Sequence, residues 1–446
     1  MPDVSQSEPI STRQRRIAEL ARHLRGKPLH ALSRHIDESW MREAYRRTRK
    51  DGAVGVDGET GAKFAVDLEA NLRGLRDRAL SGRYRAPPVR RVLIPKGDGK
   101  KTRPIGITTF EDKVLQRAVV MALEPVYEEE FTDFSYGFRR GRSAHDALRD
   151  LQHQLWKMGG GVVLELDIQS FFDQMNRGLL QQILRQRVTD GVLLRLIGKW
   201  LHAGVMEDGR LSQPESGTPQ GGVISPLLAN IYLHEVFDGW WIREVLPRLG
   251  GEAHAFRYAD DIVIVFANER DARRVMEVLP KRFGRFGLTL HPEKTRLAPF
   301  QRPRTPLGAK MTVKPGSFDF LGLTQYWTRS RKGQWMPKQK TARSRLGRAL
   351  KSIALWCRKA HHRPVVEQAK TLGKKLRGHY AYFGVTGNYR ALGQFFQEVK
   401  RIWRGWLCRR SQRGRLSWEG FHVLLKRNPL PPPIAVHSLL RRSANP

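Results

Sequence analysis

Cysteine is almost missing from this chain: Cys357 and Cys408 are the only two in 446 residues and stand 51 positions apart. Without a Cys-x-x-Cys pair there is no basis for a zinc knuckle or a disulfide framework, and a reducing compartment is expected. No apolar run approaches the roughly 18 residues of a membrane span, and the N-terminus has no apolar signal core. Acidic residues are scarce too, and their scarcity is local. The chain carries a formal charge of +37, and in residues 331–446 only Glu367, Glu398 and Glu419 oppose 27 Lys and Arg. Solubility requires no such excess, so the expected partner is a polyanion. Because these cations alternate with apolar residues at core spacing, the surface reads as phosphate-binding and not as a membrane face.

What is present fits a globular protein of two or three domains, with 40% hydrophobic residues. Residues 1–85 read as helices with basic faces, broken by a Gly-rich turn at 52–58. Strand signals start at Val89–Pro95 and return at Arg103–Ile107, with a turn between them that carries Lys96. Helical spacing follows from Glu111 onward, and between 160 and 325 strands alternate with helices near 177–204, 223–237 and 270–286. Beyond 335 the pattern turns fully helical, with apolar stripes at Leu346, Leu350, Ile353 and Trp356 or Cys357, then at Leu392, Phe395, Phe396, Val399, Ile402, Trp403 and Trp406. The expected class is α+β.

The most telling stretch is Phe256-Arg257-Tyr258-Ala259-Asp260-Asp261-Ile262-Val263-Ile264-Val265. Two strand-like apolar flanks meet at adjacent carboxylates, which puts Asp260 and Asp261 at a hairpin tip. Upstream, the apolar run Val162–Leu166 ends on Asp167. An isolated turn Asp is usually structural, but three convergent aspartates suit Mg²⁺, and two such ions can clamp both oxygens of a phosphoryl transfer. Lys96 and Arg103, on an earlier hairpin, are either solvated hairpin charges or cations placed to neutralise a triphosphate.

Taken in order, these segments resemble the group II intron-encoded reverse transcriptases and maturases, in the form without a C-terminal endonuclease domain. The resemblance rests on Gly55–Gly58, Arg103–Ile107, Tyr136–His145, Asp167–Asp173, Gly217–Pro226, Tyr258–Asp261, Gly287–Thr295, Phe318–Gly322 and Leu376–Gly384. Arg140 departs from the proline usual in that family. The resemblance implies a right-hand-like polymerase: an N-terminal extension (1–85), fingers and palm (86–328) with an antiparallel sheet plus helices, and an all-helical thumb or maturase region (335–446). It implies that Asp167, Asp260 and Asp261, with the Ile168 carbonyl, hold two Mg²⁺ ions. Phe172 would pack against the sugar and exclude a 2′-hydroxyl, with Phe171 in the core. Gln220 would touch the nascent pair, and Lys294 would either assist the departing pyrophosphate or be a solvated surface lysine. Arg139, Arg142, Gly221, Arg377, Arg409 and Arg410 are the expected template or RNA contacts. The implied partners are a group II intron RNA, an RNA template with DNA primer, dNTPs and target DNA, with homodimerisation left open. The implied location is the bacterial cytoplasm, at or near the nucleoid. The alternatives are a splicing-only maturase and a reverse transcriptase recruited to a retron, diversity-generating or defence role. The intact aspartates weigh against the first, and the maturase-like tail weighs against the second.

Overall fold

The computed structural model describes residues 8–95, 102–207, 210–212, 221–304, 315–330, 332–410 and 416–438. Its main core is built around the helix Phe110–Glu128, which Thr109 starts by accepting the Asp112 N–H at 3.2 Å. Val114, Leu115, Ala118, Val119, Ala122 and Leu123 are buried on one half of this helix and Gln116, Val120 and Met121 on the other, the signature of a helix with no solvent face. Three earlier helices, Ile10–His23, Glu38–Arg47 and Leu68–Leu80, pack on it. Trp40 donates its indole N–H to the Ala118 carbonyl at 3.0 Å, and the Gln14 amide donates to Met121 at 2.8 Å. Residues 1–85 are therefore not a body apart. Their buried side chains join the same cluster that runs on to Leu288.

Eleven strands are described: β1 (Val89–Pro95), β2 (Thr102–Ile107), β3 (Val162–Leu166), β4 (Val205–Glu207), β5 (Arg210–Ser212), β6 (Ala253–Tyr258), β7 (Asp261–Phe266), β8 (Arg296–Pro299), β9 (Ser317–Phe320), β10 (Leu323–Arg329) and β11 (Trp335–Thr341). They form sheets of order β2-β1-β4-β5, β6-β7-β3-β8 and β11-β10-β9, antiparallel except where β1 meets β4. The second of these is the central sheet. Leu164, Leu166, Ile262 and Ile264 face the main core, while Val163, Val263, Val265 and Phe256 face a second core beneath the helix Ala144–Met158. Both faces are covered, so β7 reads as a continuous apolar run after Asp261 and β3 is interrupted only by Glu165.

Three expectations need correction. Trp335–Thr341 is a strand paired along its whole length with β10, so the helical region begins later, at Arg343. Its inward residues are Pro337, Gln339 and Thr341 in place of apolar ones, and Gln339 is held by donating to the Leu148 carbonyl at 3.0 Å. The helix expected over 177–204 is two helices, Arg177–Arg187 and Gly191–Leu201, the second started by Asp190, which accepts the Val192 and Leu193 N–H groups at 3.0 Å. The helix expected over 223–237 is α-helical only over Ser225–Leu233 and then opens into π turns at His234–Asp238 and Trp241–Val245.

Four C-terminal helices, Arg343–Ala360, Val365–Phe383, Tyr389–Leu407 and Trp418–Arg427, share a core of their own around Cys357, Leu376, Phe395, Val399 and Trp403. At its margin cations cover the half-exposed rings: Lys400 over Phe396 at 4.8 Å, Arg409 over Trp406 at 4.5 Å and Arg404 over Trp418 at 4.4 Å. Among the described residues no helix is long and apolar enough to cross a membrane.

The π turn carries Asp238 inward to meet Arg257 of β6, and neither side chain has any solvent exposure. Arg257 Nε donates to Asp238 Oδ1 at 2.7 Å and Nη1 donates to Asn230 Oδ1 at 3.0 Å. Burial pushes the Asp238 carboxyl up, but the Arg257 charge and the His234 hydrogen bond outweigh it and hold the carboxyl below its ordinary range. Asp238→Ala would leave a guanidinium sealed without a counter-charge. We expect it to lose about 3–5 kcal/mol in urea denaturation. Asp238→Leu combined with Arg257→Met should lose far less.

Candidate active site

The register of the central sheet builds the site. Tyr258 pairs with Asp261 across a two-residue turn, Ala259-Asp260, in which Ala259 takes a left-handed φ of 56°. The tip is packed from below by Gly137, where an added Cβ would lie 2.3 Å from the Ala259 nitrogen. Gly137 is held in turn by Asn230, whose side chain donates to its carbonyl at 2.6 Å. On the neighbouring strand Leu166 pairs with Ile262, so Asp167, one residue on, comes level with Asp261.

These carboxylates feel one another. Burial raises the Asp260 carboxyl; its own backbone N–H opposes the rise, the Asp167 charge adds to it, and Arg103 opposes it. Burial followed by the Asp260 charge pushes Asp261 up to about 7, opposed by the Leu321 N–H and Arg345 and reinforced by Asp167. Asp261 still opens to solvent on one side, so the desolvation is that of a cleft wall. Asp167 is held differently: Lys294 Nζ donates to its Oδ2 at 2.6 Å. Its carbonyl accepts from His291 at 2.7 Å while Gln169 donates to Thr289 at 2.9 Å. These bonds flank the Ile168–Leu290 bridge, which leaves the Ile168 carbonyl outside the ladder.

Among the described residues no three acidic, His or Cys side chains stand close enough to enclose an ion as they are. The donor chemistry nevertheless fits Mg²⁺: hard oxygen ligands, and carboxylates whose mutual repulsion a cation would relieve. Asp167 would have to exchange Lys294 for the metal.

The other expected residues divide. Arg103 on β2 is exposed and acts electrostatically on Asp260. Phe171 is buried, and Phe172 lies half-buried against it with ring centroids 5.4 Å apart. Lys96 and Gln220 lie outside the described residues. Arg377 is exposed, Arg409 covers Trp406, and Arg410 donates to the His362 and Arg363 carbonyls at 3.2 and 3.1 Å. One assignment does not stand. The Arg139 side chain is only 5% exposed and is occupied by Glu128 at 2.9 Å and by the Thr132 and Ser135 carbonyls, so it braces the fold and is closed to a template. Gly221 is exposed, although with φ at 120° an added Cβ would lie 2.5 Å from the Gly106 carbonyl oxygen of β2. Arg142 is partly engaged, donating to Asp133 at 2.8 Å.

Three residues near the site escaped the sequence reading: Arg257, Arg345 and Tyr382. The first lies inside the motif itself, and only its total burial marks it as a brace. The other two belong to the C-terminal helices, and no local pattern points them at Asp261.

Residues 94–325 match the family described as reverse transcriptase (RNA-dependent DNA polymerase). The chain belongs to that family. This reverse transcriptase is 36% identical over 330 residues to Protein YkfC of Escherichia coli, an alignment covering 65% of the chain and 84% of that protein. It is 40% identical over 183 residues to the group II intron-encoded protein LtrA of Lactococcus lactis, covering 41% of the chain and 30% of that protein. To nuclear intron maturase 2, mitochondrial, of Arabidopsis thaliana it is 29% identical over 177 residues, 30% of the chain and 23% of that protein. The chain thus spans under a third of these two intron-associated relatives.

The raised Asp261 carboxyl fixes a pH dependence. Its folded value, about 7, lies above the ordinary 3.8. Metal-free reverse transcriptase should therefore lose stability as pH rises from near 4 through 7, because the fold must accept a charge it disfavours. Scanning calorimetry should show Mg²⁺ raising the melting temperature more at about pH 8 than at about pH 5. Asp261→Asn should melt above wild type at the higher pH without metal and respond little to Mg²⁺.

Proposed function

We propose that this reverse transcriptase copies RNA into DNA and, with the same chain, binds a group II intron RNA and assists its splicing and mobility. The observation that carries the polymerase reading is the register placing Asp167 beside Asp260 and Asp261 at the open end of the central sheet. The intron reading is supported by the intron-encoded relatives and by a C-terminal helical region rich in cations and nearly free of carboxylates.

In this reading β3, β6 and β7 belong to the palm, the β1–β2 hairpin to the fingers, and the helices from Arg343 onward to a thumb that grips the product duplex. Asp167, Asp260, Asp261 and the Ile168 carbonyl would hold two Mg²⁺ ions. When bound, such ions stabilise the attacking and leaving oxygens of nucleotidyl transfer. Arg103, with Lys96 beyond it, would offset the charge of an incoming triphosphate, a reading supported by its electrostatic action on Asp260. Phe172, half-buried against the buried Phe171, would exclude a ribose 2′-hydroxyl by its bulk. Lys294, held by Asp167, stands ready to offset charge on the departing pyrophosphate. The substrates are dNTPs on an RNA template with a DNA primer, and target DNA is the acceptor in mobility.

Primer extension on an RNA template tests this. Asp260→Ala should abolish extension while leaving affinity for structured RNA within about twofold, since the phosphate-binding surface lies elsewhere. Extension retained within tenfold of wild type would remove the site. Phe172→Ala should raise rNTP use relative to dNTP, whereas Phe171→Ala should mainly lower stability, by about 3–5 kcal/mol. Unchanged sugar selectivity in the first variant would strike Phe172 from its role.

A further inference from the structure

Asp261 faces a second tight turn besides its own. Phe320 of β9 pairs with Leu323 of β10 across Leu321-Gly322, and both turn residues have positive φ, 50° and 79°. Gly322 adopts this freely, but Leu321 does so against the clash of its Cβ with the backbone, so its surroundings must enforce it. They do so from the C-terminal helices. The Tyr382 hydroxyl donates to the Leu321 carbonyl at 2.8 Å, and the Ala342 N–H donates to the Gly322 carbonyl at 3.0 Å. The Arg345 side chain lies against Gly322, where an added Cβ would come within 3.3 Å of it. On its other side the turn brings the Leu321 N–H near enough to the Asp261 carboxylate to favour its charged form.

Tyr382 is tied a second time. Its carbonyl accepts from His145 Nε2 at 2.8 Å, and His145 stacks on His437 with centroids 3.6 Å apart. One residue of the helix Val365–Phe383 thus touches the helix after the expected fingers motif, through its backbone, and the turn beside the catalytic centre, through its side chain. Arg345, from the preceding helix, bears electrostatically on both Tyr382 and Asp261.

We propose that Tyr382 is a positioning residue for the polymerase reaction: by pinning the Leu321–Gly322 turn it fixes where the Asp261 carboxylate stands, and so links the seating of the C-terminal helices to metal binding at the palm. The inference rests on the polymerase reading above. It assigns Tyr382 no contact with substrate. Its effect passes through one hydrogen bond to a backbone carbonyl, so removing the hydroxyl alone should loosen the carboxylate without emptying a core site.

The test uses the full chain carrying Tyr382→Phe, which keeps the ring and loses the hydroxyl. The Mg²⁺ concentration for half-maximal primer extension should rise about threefold to tenfold, the worth of a single hydrogen bond, and kcat should fall in step. KM for the primer–template should stay within twofold and the metal-free melting temperature within about 3 °C. An Mg²⁺ titration that superimposes on wild type overturns the inference, whether or not the melting temperature has dropped, because a purely structural phenol would behave in that way. Tyr382→Leu, which also removes the ring, should shift the Mg²⁺ curve at least as far as Tyr382→Phe, and a smaller shift likewise counts against the proposal. The Mg²⁺-induced rise in melting temperature, measured on wild type and Tyr382→Phe, should be smaller in the variant. That readout decides the inference even if wild type extends no primer, a result that would defeat only the polymerase reading.

Discussion

The charge of Arg257, closed off from water and matched by Asp238, is the constraint that the Tyr258–Asp261 hairpin depends on. A buried ion pair is weak evidence for stability in itself, since desolvating two charges offsets most of their attraction. Its value here is directional. Arg257 also uses Nη1 on Asn230, while its backbone donates to Phe134 and accepts from Tyr136, each at 2.8 Å. Asn230 then holds Gly137, which packs under Ala259. The strained turn is therefore fixed from beneath by groups that cannot shift without exposing an unmatched charge. The π turns fit the same account, because a regular α-helix through 234–238 would place Asp238 at another angle.

Electrostatics above the turn run in the opposite sense. In a protein of net charge +37, the cleft gathers three aspartates, and the charge of Asp167 helps to raise the proton affinity of Asp260 and Asp261. Arg103, Lys294 and Arg345 reach it from three separate parts of the chain and offset part of that repulsion.

What the sequence discloses follows from which forces are local. The central hairpin and its aspartates are legible because apolar period and turn chemistry coincide there. The stripes at Leu392, Phe395, Val399 and Trp403 are legible because burial alone sets them. Trp335–Thr341 is not, because its inward side chains include Gln339, which donates to the distant Leu148 carbonyl, and Thr341, whose hydroxyl accepts from the Asn388 amide. Arg139 misleads for the converse reason: a cation in a basic motif looks solvent-bound until Glu128 and two carbonyls are seen around it. Tyr382 could not be found at all, since the turn it holds lies 61 residues away in sequence.

The covering of β3 on both faces bears on how the chain comes into being. Its partners are β7, Asp261–Phe266, and β8, Arg296–Pro299, both made about a hundred residues or more after it. While the ribosome works through that interval, a largely apolar strand waits with both edges unpaired. Contacts of such long separation form slowly, and unpaired strands are prone to associate with other chains. Synthesis that stalls within this stretch would leave a product with a clear tendency to aggregate, whereas one that reaches residue 300 has every strand of the central sheet in hand.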